Sequence, residues 1–162
     1  MYTNEPTILA FESGDRCITA KYGDNGDDTI SVLNYAYTAQ NKSSTLTGYA
    51  FAPDPSQPGK LKLHLDGVPF DGTYWILALG PVNDKEQYEW PIVSDSTSIF
   101  LFVLARDVTT FTDKYSKEVL TELVPRGFTG VRKSVPTYQG QDCVYESDYD
   151  VLIMYQHSSF SL

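Results

Sequence analysis

The stretch Gly72-Thr-Tyr-Trp-Ile-Leu-Ala-Leu-Gly80 indicates the fold of this chain more clearly than any other segment. Its apolar run has a glycine at each end, which predicts a short buried strand between two turns. A second apolar run, Ile99 to Arg106, follows after one hairpin and leads into a helical pattern. Hydrophobic strands followed by one helix predict an antiparallel β-barrel, and such a barrel can hold a ligand inside.

Other segments with strand character are spaced evenly along the chain. They are Cys17–Tyr22, Ile30–Tyr37, Leu46–Ala52, Leu61–Leu65 and Tyr88–Val93, with Tyr2–Phe11 as a candidate eighth strand. Asn25-Gly26 predicts a hairpin turn. Three prolines between Pro53 and Gly59 predict a loop, because proline cannot donate to a strand ladder. We therefore predict an all-β fold, an eight-stranded antiparallel up-and-down barrel whose first strand the sequence supplies only in part.

One C-terminal helix is predicted from Thr112 to about Val124, with Thr112 as its cap. Its apolar side chains recur at helical spacing and form one face, which would cover one side of the barrel. We assign residues 1–145 to the barrel and its helix and residues 146–162 to a C-terminal tail. The apolar run Val151–Tyr155 in that tail predicts either a late strand or a loosely docked terminus.

Composition limits the partners of this protein. The chain has 162 residues, 41% of them hydrophobic, which fits one domain with a sizeable core. Its net charge of −9 argues against nucleic acid and anionic membranes as partners. No segment reaches the roughly 18 apolar residues that a membrane helix needs, so no membrane insertion is expected. The first 20 residues lack a basic start and an apolar core, so we expect no signal peptide in this sequence.

Few residues suggest catalysis or metal binding. The two histidines, His64 and His157, lie in contexts typical of surface residues, and no hydrolase or phosphate-binding motif occurs. We therefore predict no catalytic residues and no metal site. Cys17 and Cys143 are either two free thiols or one long-range disulfide. Asn41-Lys42-Ser43 lies in a polar turn and predicts a glycosylation site at Asn41.

The aromatic residues fit a binding cavity. Strand alternation places Tyr74, Ile76 and Ala78 on one face and Trp75, Leu77 and Leu79 on the other. Both faces are apolar, so we expect the cavity to cover one and the helix or a partner to cover the other. The aromatic side chains either pack into a solid core or line a pocket.

Four segments together resemble the lipocalin family, and within it the apolipoprotein D group. They are Ala10–Tyr22, Ile30–Asn34, Pro58–Leu63 and Tyr74–Ala78, in the family's order and spacing. Leu104-Ala-Arg106 also falls where lipocalins keep an arginine just before the helix. The resemblance implies secretion and the carriage of a small apolar ligand such as a lipid, sterol, retinoid, bilin or carotenoid, with no cofactor.

The resemblance also assigns roles to individual residues. It implies a disulfide between Cys17 and Cys143, since family members join the second strand to the segment after the helix. The aligned pocket positions are Tyr22, Asn34, Tyr74 and Phe102. The candidate ligand-binding residues also include Ile76, in the same apolar run as Tyr74, and Phe100, in the same run as Phe102.

The sequence departs from the family pattern at two places. The Gly-x-Trp motif of the first strand is absent, so Arg106 lacks the tryptophan on which this arginine packs, and we expect the given sequence to begin after that motif and the secretion signal. The usual Thr-Asp-Tyr motif is replaced by the longer loop Leu79–Gln87, which puts closure of that barrel end in question.

Three functions are compatible with these patterns. The leading one is an extracellular carrier of a small hydrophobic ligand. One alternative is an enzyme on the same scaffold that acts on a lipid with a cysteine nucleophile. Another is a carotenoprotein subunit that assembles through exposed aromatic residues such as Tyr49 or Trp90. Self-association into a homo-oligomer is left open.

Overall fold

Seven antiparallel strands in sequence order form the main part of the barrel in a computed structural model of the chain. The structure describes residues 2–3, 15–38, 40, 42–130, 133–143 and 151–154. The short β1 (Tyr2–Thr3) comes first. The seven strands are β2 (Arg16–Asp24), β3 (Thr29–Tyr37), β4 (Ser43–Phe51), β5 (Lys60–Leu65), β6 (Gly72–Leu79), β7 (Pro91–Ser94) and β8 (Leu101–Ala105). Each pairs with the next, as expected for an up-and-down barrel.

A strand from the C-terminal region joins the two ends of this meander. β9 is Val135–Pro136 and β10 is Val151–Met154. Ile153 of β10 pairs with Thr19 of β2 on one side and with Ala105 of β8 on the other. Among the described residues, β2 to β8 and β10 therefore form a ring of eight strands. The segment that the sequence analysis assigned to a tail thus lies within the sheet.

The short β1 pairs with the same edge of β8 as β10 does, but with an earlier residue of β8. Thr3 pairs with Phe102, and β1 also pairs with β9. Within the expected strand Tyr2–Phe11, only Tyr2 and Thr3 lie in the part of the chain that the structure describes. The predicted fold class is confirmed, an all-β antiparallel barrel with one helix, but β10 supplies the strand that closes the ring.

The helix begins four residues earlier than predicted. α1 (Val108–Thr110), a π-helical turn (Phe111–Tyr115) and α2 (Ser116–Leu123) follow one another without a break. Asp107 caps the first turn, since its Oδ1 accepts a hydrogen bond from the Thr110 N–H at 2.7 Å. The expectation that Thr112 is the cap was wrong, because Thr112 lies inside the helix, where its hydroxyl donates to the Val108 carbonyl at 2.6 Å.

The helix packs on the outer face of β7 and β8 and forms the larger core. Phe111, Val119 and Leu123 contact a layer of buried strand residues, which comprises Ile92, Leu101, Val103 and Ala105. Trp90 belongs to the same core with 5% of its surface exposed, so its expected role as an exposed assembly residue was wrong. A Cβ at position 80 would lie 2.6 Å from Trp90 Nε1, so Gly80 leaves the room that the indole ring occupies.

A bulge changes the faces of β6. The register between β6 and β7 shifts between Ile76 and Ala78. Tyr74 and Ile76 point into the barrel as predicted, but Ala78 packs with the helix core and Leu79 lines the cavity. The simple alternation predicted for Ala78 and Leu79 was therefore wrong, because one extra residue on β6 reverses the faces beyond it.

The disulfide joins β2 to the segment that follows the helix. Cys17 and Cys143 are bonded with a Cα–Cα distance of 5.3 Å. The same junction is reinforced by a hydrogen bond from the Cys17 N–H to the Tyr138 carbonyl at 2.9 Å and by an ion pair between Arg16 and Asp142. The segment around residues 137–143 is thereby held against the start of β2.

Candidate ligand-binding site

An apolar cavity of about 180 Å³ lies inside the barrel. Its walls come from the inward-facing residues of seven strands and from the loop between β6 and β7. The lining residues are Tyr22, Ile30, Val32, Ala50, Leu61, Leu63, Tyr74, Ile76, Leu79, Tyr88, Pro91, Val93, Leu104 and Arg106. Nearly all of these side chains are hydrocarbon or aromatic, so the cavity suits a nonpolar ligand.

Two tyrosines in the cavity lining contact each other. The hydroxyl groups of Tyr22 and Tyr74 are 2.8 Å apart and share a hydrogen bond. Desolvation inside the barrel raises the pKa of the Tyr74 phenol well above its ordinary value, and the adjacent Tyr22 adds to the shift. Tyr74 therefore stays protonated at neutral pH, and one of the two hydroxyls donates to the other.

The tyrosine pair also contacts two clusters of buried side chains inside the barrel. Tyr22 and Tyr74 contact a cluster of buried residues that comprises Ile18, Ala20, Ala36, Val93 and Leu104, with Phe102 packed against it. They also contact the cluster of Val32, Ala50 and Leu61 that surrounds the cavity. The tyrosine pair therefore joins the two clusters, and Val93 and Leu104 of the first cluster also line the cavity.

The cavity extends to the loop Gly80–Trp90, the barrel end whose closure the sequence puts in question. Leu79 and Tyr88 line the cavity there and have 42% and 45% of their surfaces exposed. Among the described residues, the cavity thus reaches the protein surface at this end. The loop itself is ordered by hydrogen bonds between its two arms, from the Gly80 N–H to the Trp90 carbonyl at 2.7 Å and from the Glu89 N–H to the Pro81 carbonyl at 2.9 Å.

Arg106 is the cationic residue of the cavity lining and lies at the same end. Its Nε donates to the carbonyl of Tyr88 at 2.9 Å, and its backbone N–H donates to the carbonyl of Glu89 at 3.1 Å. β8 and the Gly80–Trp90 loop therefore hold this guanidinium in position. The resemblance pointed to Arg106 as a motif residue, whereas the structure also places it in the cavity wall.

The structure separates the predicted pocket residues into two groups. Tyr22, Tyr74 and Ile76 line the cavity. The other three, Asn34, Phe100 and Phe102, are not among the lining residues. Phe102 packs against the cluster that contains Ile18 and Ala20. Phe100 precedes β8 at the opposite end of the barrel, where its carbonyl accepts a hydrogen bond from the Ser94 hydroxyl at 2.5 Å.

Sequence reasoning missed two residues at the surface end of the cavity. Leu79 was placed on the wrong face because the bulge in β6 leaves no mark in the sequence pattern. Tyr88 was predicted to begin a strand and was not considered as a cavity residue. It lies instead in the loop between β6 and β7, where it forms an antiparallel bridge with Val82.

The residues considered for chemistry lie elsewhere. Both cysteines of the chain are in the disulfide. His64 lies on the outer face of β5, with Nδ1 2.9 Å from a carboxylate oxygen of Asp71. Within the described ranges, no group of three or more His, Cys, Asp or Glu side chains could hold a metal ion. The predicted glycosylation site Asn41 and the second histidine, His157, lie outside the described residues.

Comparison with known proteins identifies the class to which this fold and cavity belong. Residues 7–133 match the lipocalin-like domain, and the chain therefore belongs to the lipocalin family. It is 34% identical over 101 residues to the outer membrane lipoprotein Blc of Vibrio cholerae, covering 62% of this chain and 56% of that protein. It is 32% identical over 71 residues to the Lazarillo protein of Schistocerca americana, covering 43% of this chain and 33% of that protein.

The matches span only about half and one third of these relatives' own lengths. Among the described residues, no helix has the length and hydrophobicity required to cross a membrane.

Proposed function

We propose that this protein is an extracellular carrier that binds one small hydrophobic ligand inside the barrel. The observation that carries the proposal is the apolar cavity of about 180 Å³ within a lipocalin barrel. An engineered apolar cavity of about 150 Å³ is large enough to bind benzene, so this one suits a small ligand or the end of a longer one. Binding is driven by burial of apolar ligand surface, at about 25 cal/mol per Å².

Two observations support the extracellular part of the proposal. The disulfide between Cys17 and Cys143 is typical of proteins that fold in an oxidising compartment. The segments similar to the apolipoprotein D group suggest secretion, and one relative is named an outer membrane lipoprotein. We accordingly propose membership of the apolipoprotein D-like group and secretion, and glycosylation of Asn41 stays a prediction.

Carriage agrees better with the site than either alternative does. The lipid enzyme required a cysteine nucleophile, but both cysteines are in the disulfide. The carotenoprotein subunit required exposed aromatic residues for assembly. Tyr49 is 40% exposed and keeps that role open, whereas Trp90 is buried in the core beneath the helix. Homo-oligomerisation stays a prediction.

Filling the cavity should abolish binding of an uncharged probe. Ala50 is buried in the cavity wall on β4, so Ala50→Phe places a ring in the space that the ligand would occupy. We expect Ala50→Phe to weaken binding of N-phenyl-1-naphthylamine by roughly tenfold or more, since one large side chain displaces a comparable apolar area of ligand. Fluorescence titration measures the affinity, and thermal denaturation shows that the variant is folded.

Thr45→Phe is the matched control for this experiment. Thr45 is exposed on the opposite face of the same strand, so the same ring added there should leave probe affinity unchanged. Equal losses in the two variants would show that the probe binds outside the cavity. Absence of probe binding to the unaltered protein would contradict carriage of an uncharged ligand in this cavity.

A further inference from the structure

The outer face of β4, β5 and β6 lies outside the site described above. Ala50, Leu61 and Tyr74 of these strands line the cavity, so the residues that alternate with them point away from it. The helix packs on the outer face of β7 and β8. We call the outer surface of the three preceding strands the β4–β6 face, and its residues are Tyr49, Phe51, Lys60, Lys62, His64, Thr73 and Trp75.

Two aromatic rings lie at the centre of the β4–β6 face. Tyr49 is opposite His64 on β5, with ring centroids 4.9 Å apart, and Phe51 is opposite Lys62. The ring centroids of Tyr49 and Phe51 are 6.2 Å apart. Tyr49 remains 40% exposed beside these neighbours. Aromatic residues are enriched in protein–protein interfaces, so this pair is a candidate contact surface.

Positive charge is concentrated at one end of the β4–β6 face, where Lys60 and Lys62 are both exposed. Lys60 Nζ lies 4.7 Å from the centroid of the Trp75 ring, which holds the ammonium group against the sheet. The Asp54 carboxylate of the preceding loop also attracts Lys60, but it accepts hydrogen bonds within its own loop. An ammonium group has three N–H donors, so Lys60 can bind a further carboxylate.

Negative charge lies at the other end of the same face. Asp66 follows β5 and accepts a hydrogen bond from the Thr47 hydroxyl of β4. Asp71 precedes β6, and one of its carboxylate oxygens is 2.9 Å from His64 Nδ1. Along β5 the charge of the face therefore changes from positive at Lys60 to negative at Asp66. A surface with this order of charges is complementary to a reversed copy of itself.

We infer that the β4–β6 face binds a second copy of this chain in a symmetric dimer. The two-fold axis lies between the two faces and perpendicular to the strands, so the strands of one copy run in reverse across the other. When the axis passes between Tyr49 and Phe51, the strand register places Phe51 opposite Tyr49 of the second copy. The same rotation places Lys60 opposite Asp66 of the second copy. Each of these contacts occurs twice in the dimer.

A second copy matches this face better than other classes of partner do. A uniformly acidic partner would pair with Lys60 but would be repelled by Asp66 and by the net charge of −9. An uncharged surface would leave the charges of the face without partners as it excluded water. A reversed copy pairs both signs and covers the aromatic rings. Because the outer surface of a barrel is convex, the contact area is modest, and we expect a roughly micromolar dissociation constant.

Sedimentation velocity tests the inference over protein concentrations from about 1 µM to about 1 mM, which bracket an affinity of this size. We expect the unaltered protein to change from monomer to dimer as its concentration rises. Lys60→Glu and Asp66→Lys should each weaken dimerisation roughly tenfold or more, because each places like charges opposite each other twice per dimer. The double variant pairs opposite charges again, so its affinity should return to within about threefold of the unaltered protein.

Lys117→Glu is the matched control. Lys117 is exposed on the helix, so the same change of charge there should leave dimerisation unchanged. Thermal denaturation shows which variants are folded. If Lys60→Glu does not fold, Tyr49→Ala tests the same face, and it should weaken dimerisation roughly tenfold because it removes an aromatic ring from the centre of the contact.

Three outcomes would overturn the inference. The first is a monomer at every concentration of the unaltered protein. The second is equal weakening by Lys117→Glu, because net charge and not this face would then control association. The third is a folded double variant that dimerises no better than the single variants, because Lys60 and Asp66 would then not face each other. The cavity lies on the inner face of these strands, so a monomer that binds N-phenyl-1-naphthylamine leaves the carrier function standing.

Discussion

Replacing Cys17 and Cys143 together with serine should lower the free energy of unfolding by about 4–5 kcal/mol. The two cysteines are 126 positions apart, and a loop of that length carries a large closure entropy in the chain-entropy description of disulfides. Because domains of this size are stable by only about 5–15 kcal/mol, the loss should be visible as a large decrease in the midpoint of urea denaturation.

The disulfide also fixes a junction that the exposed ion pair between Arg16 and Asp142 spans. Asp142→Asn is the control, since it removes the exposed ion pair with Arg16 and leaves the disulfide intact. This control should shift the midpoint far less than the double serine variant does, because exposed ion pairs contribute little. Titration of the unreduced, unfolded protein should find no free thiols. Two free thiols, or equal midpoints for both variants, would contradict the account.

Local patterns in the sequence predict most strands of this barrel. The apolar run in Gly72–Gly80 and the alternation in Leu61–Leu65 each correspond to an observed strand, because burial of one face leaves a two-residue period. The bulge in β6 was not predictable in the same way. It inserts one residue without changing the apolar character of the run, so Ala78 and Leu79 exchange faces with no sign in the sequence.

The strand that closes the ring illustrates a second limit. Val151–Met154 has the composition of a strand, but nothing local indicates that its partners are β2 and β8, which are more than 45 residues away. Pairing at such separation is decided by which edges the rest of the barrel leaves open, and an unpaired edge is unfavourable. The sequence therefore indicates that a late strand can form, and the assembled barrel determines where it lies.

The candidate site was predictable only in outline. Tyr22, Tyr74 and Ile76 follow from alternation and from the family resemblance, and they line the cavity. Phe102 packs against the inward-facing residues Val93 and Leu104, yet it is not among the residues that line this cavity. Inward orientation depends on the strand period, whereas the position of a cavity along the barrel depends on how side chains from different strands meet. A single sequence does not contain that information.

Phe111→Ala should destabilise the fold by about 3–5 kcal/mol, the range for removing a buried aromatic ring from a core. Phe111 is 1% exposed and packs between the helix and the outer face of β7 and β8. The ring's removal leaves a void that the neighbouring strands and the helix cannot both close. Urea denaturation followed by circular dichroism measures the loss, with Phe70→Ala as the control of the same chemistry.

Phe70 is 82% exposed in the turn between β5 and β6, so its replacement should change the stability by no more than about 0.5 kcal/mol. Phe111→Ala also tests whether the barrel has two separate apolar regions. The core that contains Phe111 lies on the outer face of β7 and β8, while the cavity lies on their inner face. Folded Phe111→Ala should therefore bind N-phenyl-1-naphthylamine with the affinity of the unaltered protein. A loss of probe affinity with little loss of stability would mean that Phe111 acts on the cavity, and that the helix does more than cover the outer face of the sheet.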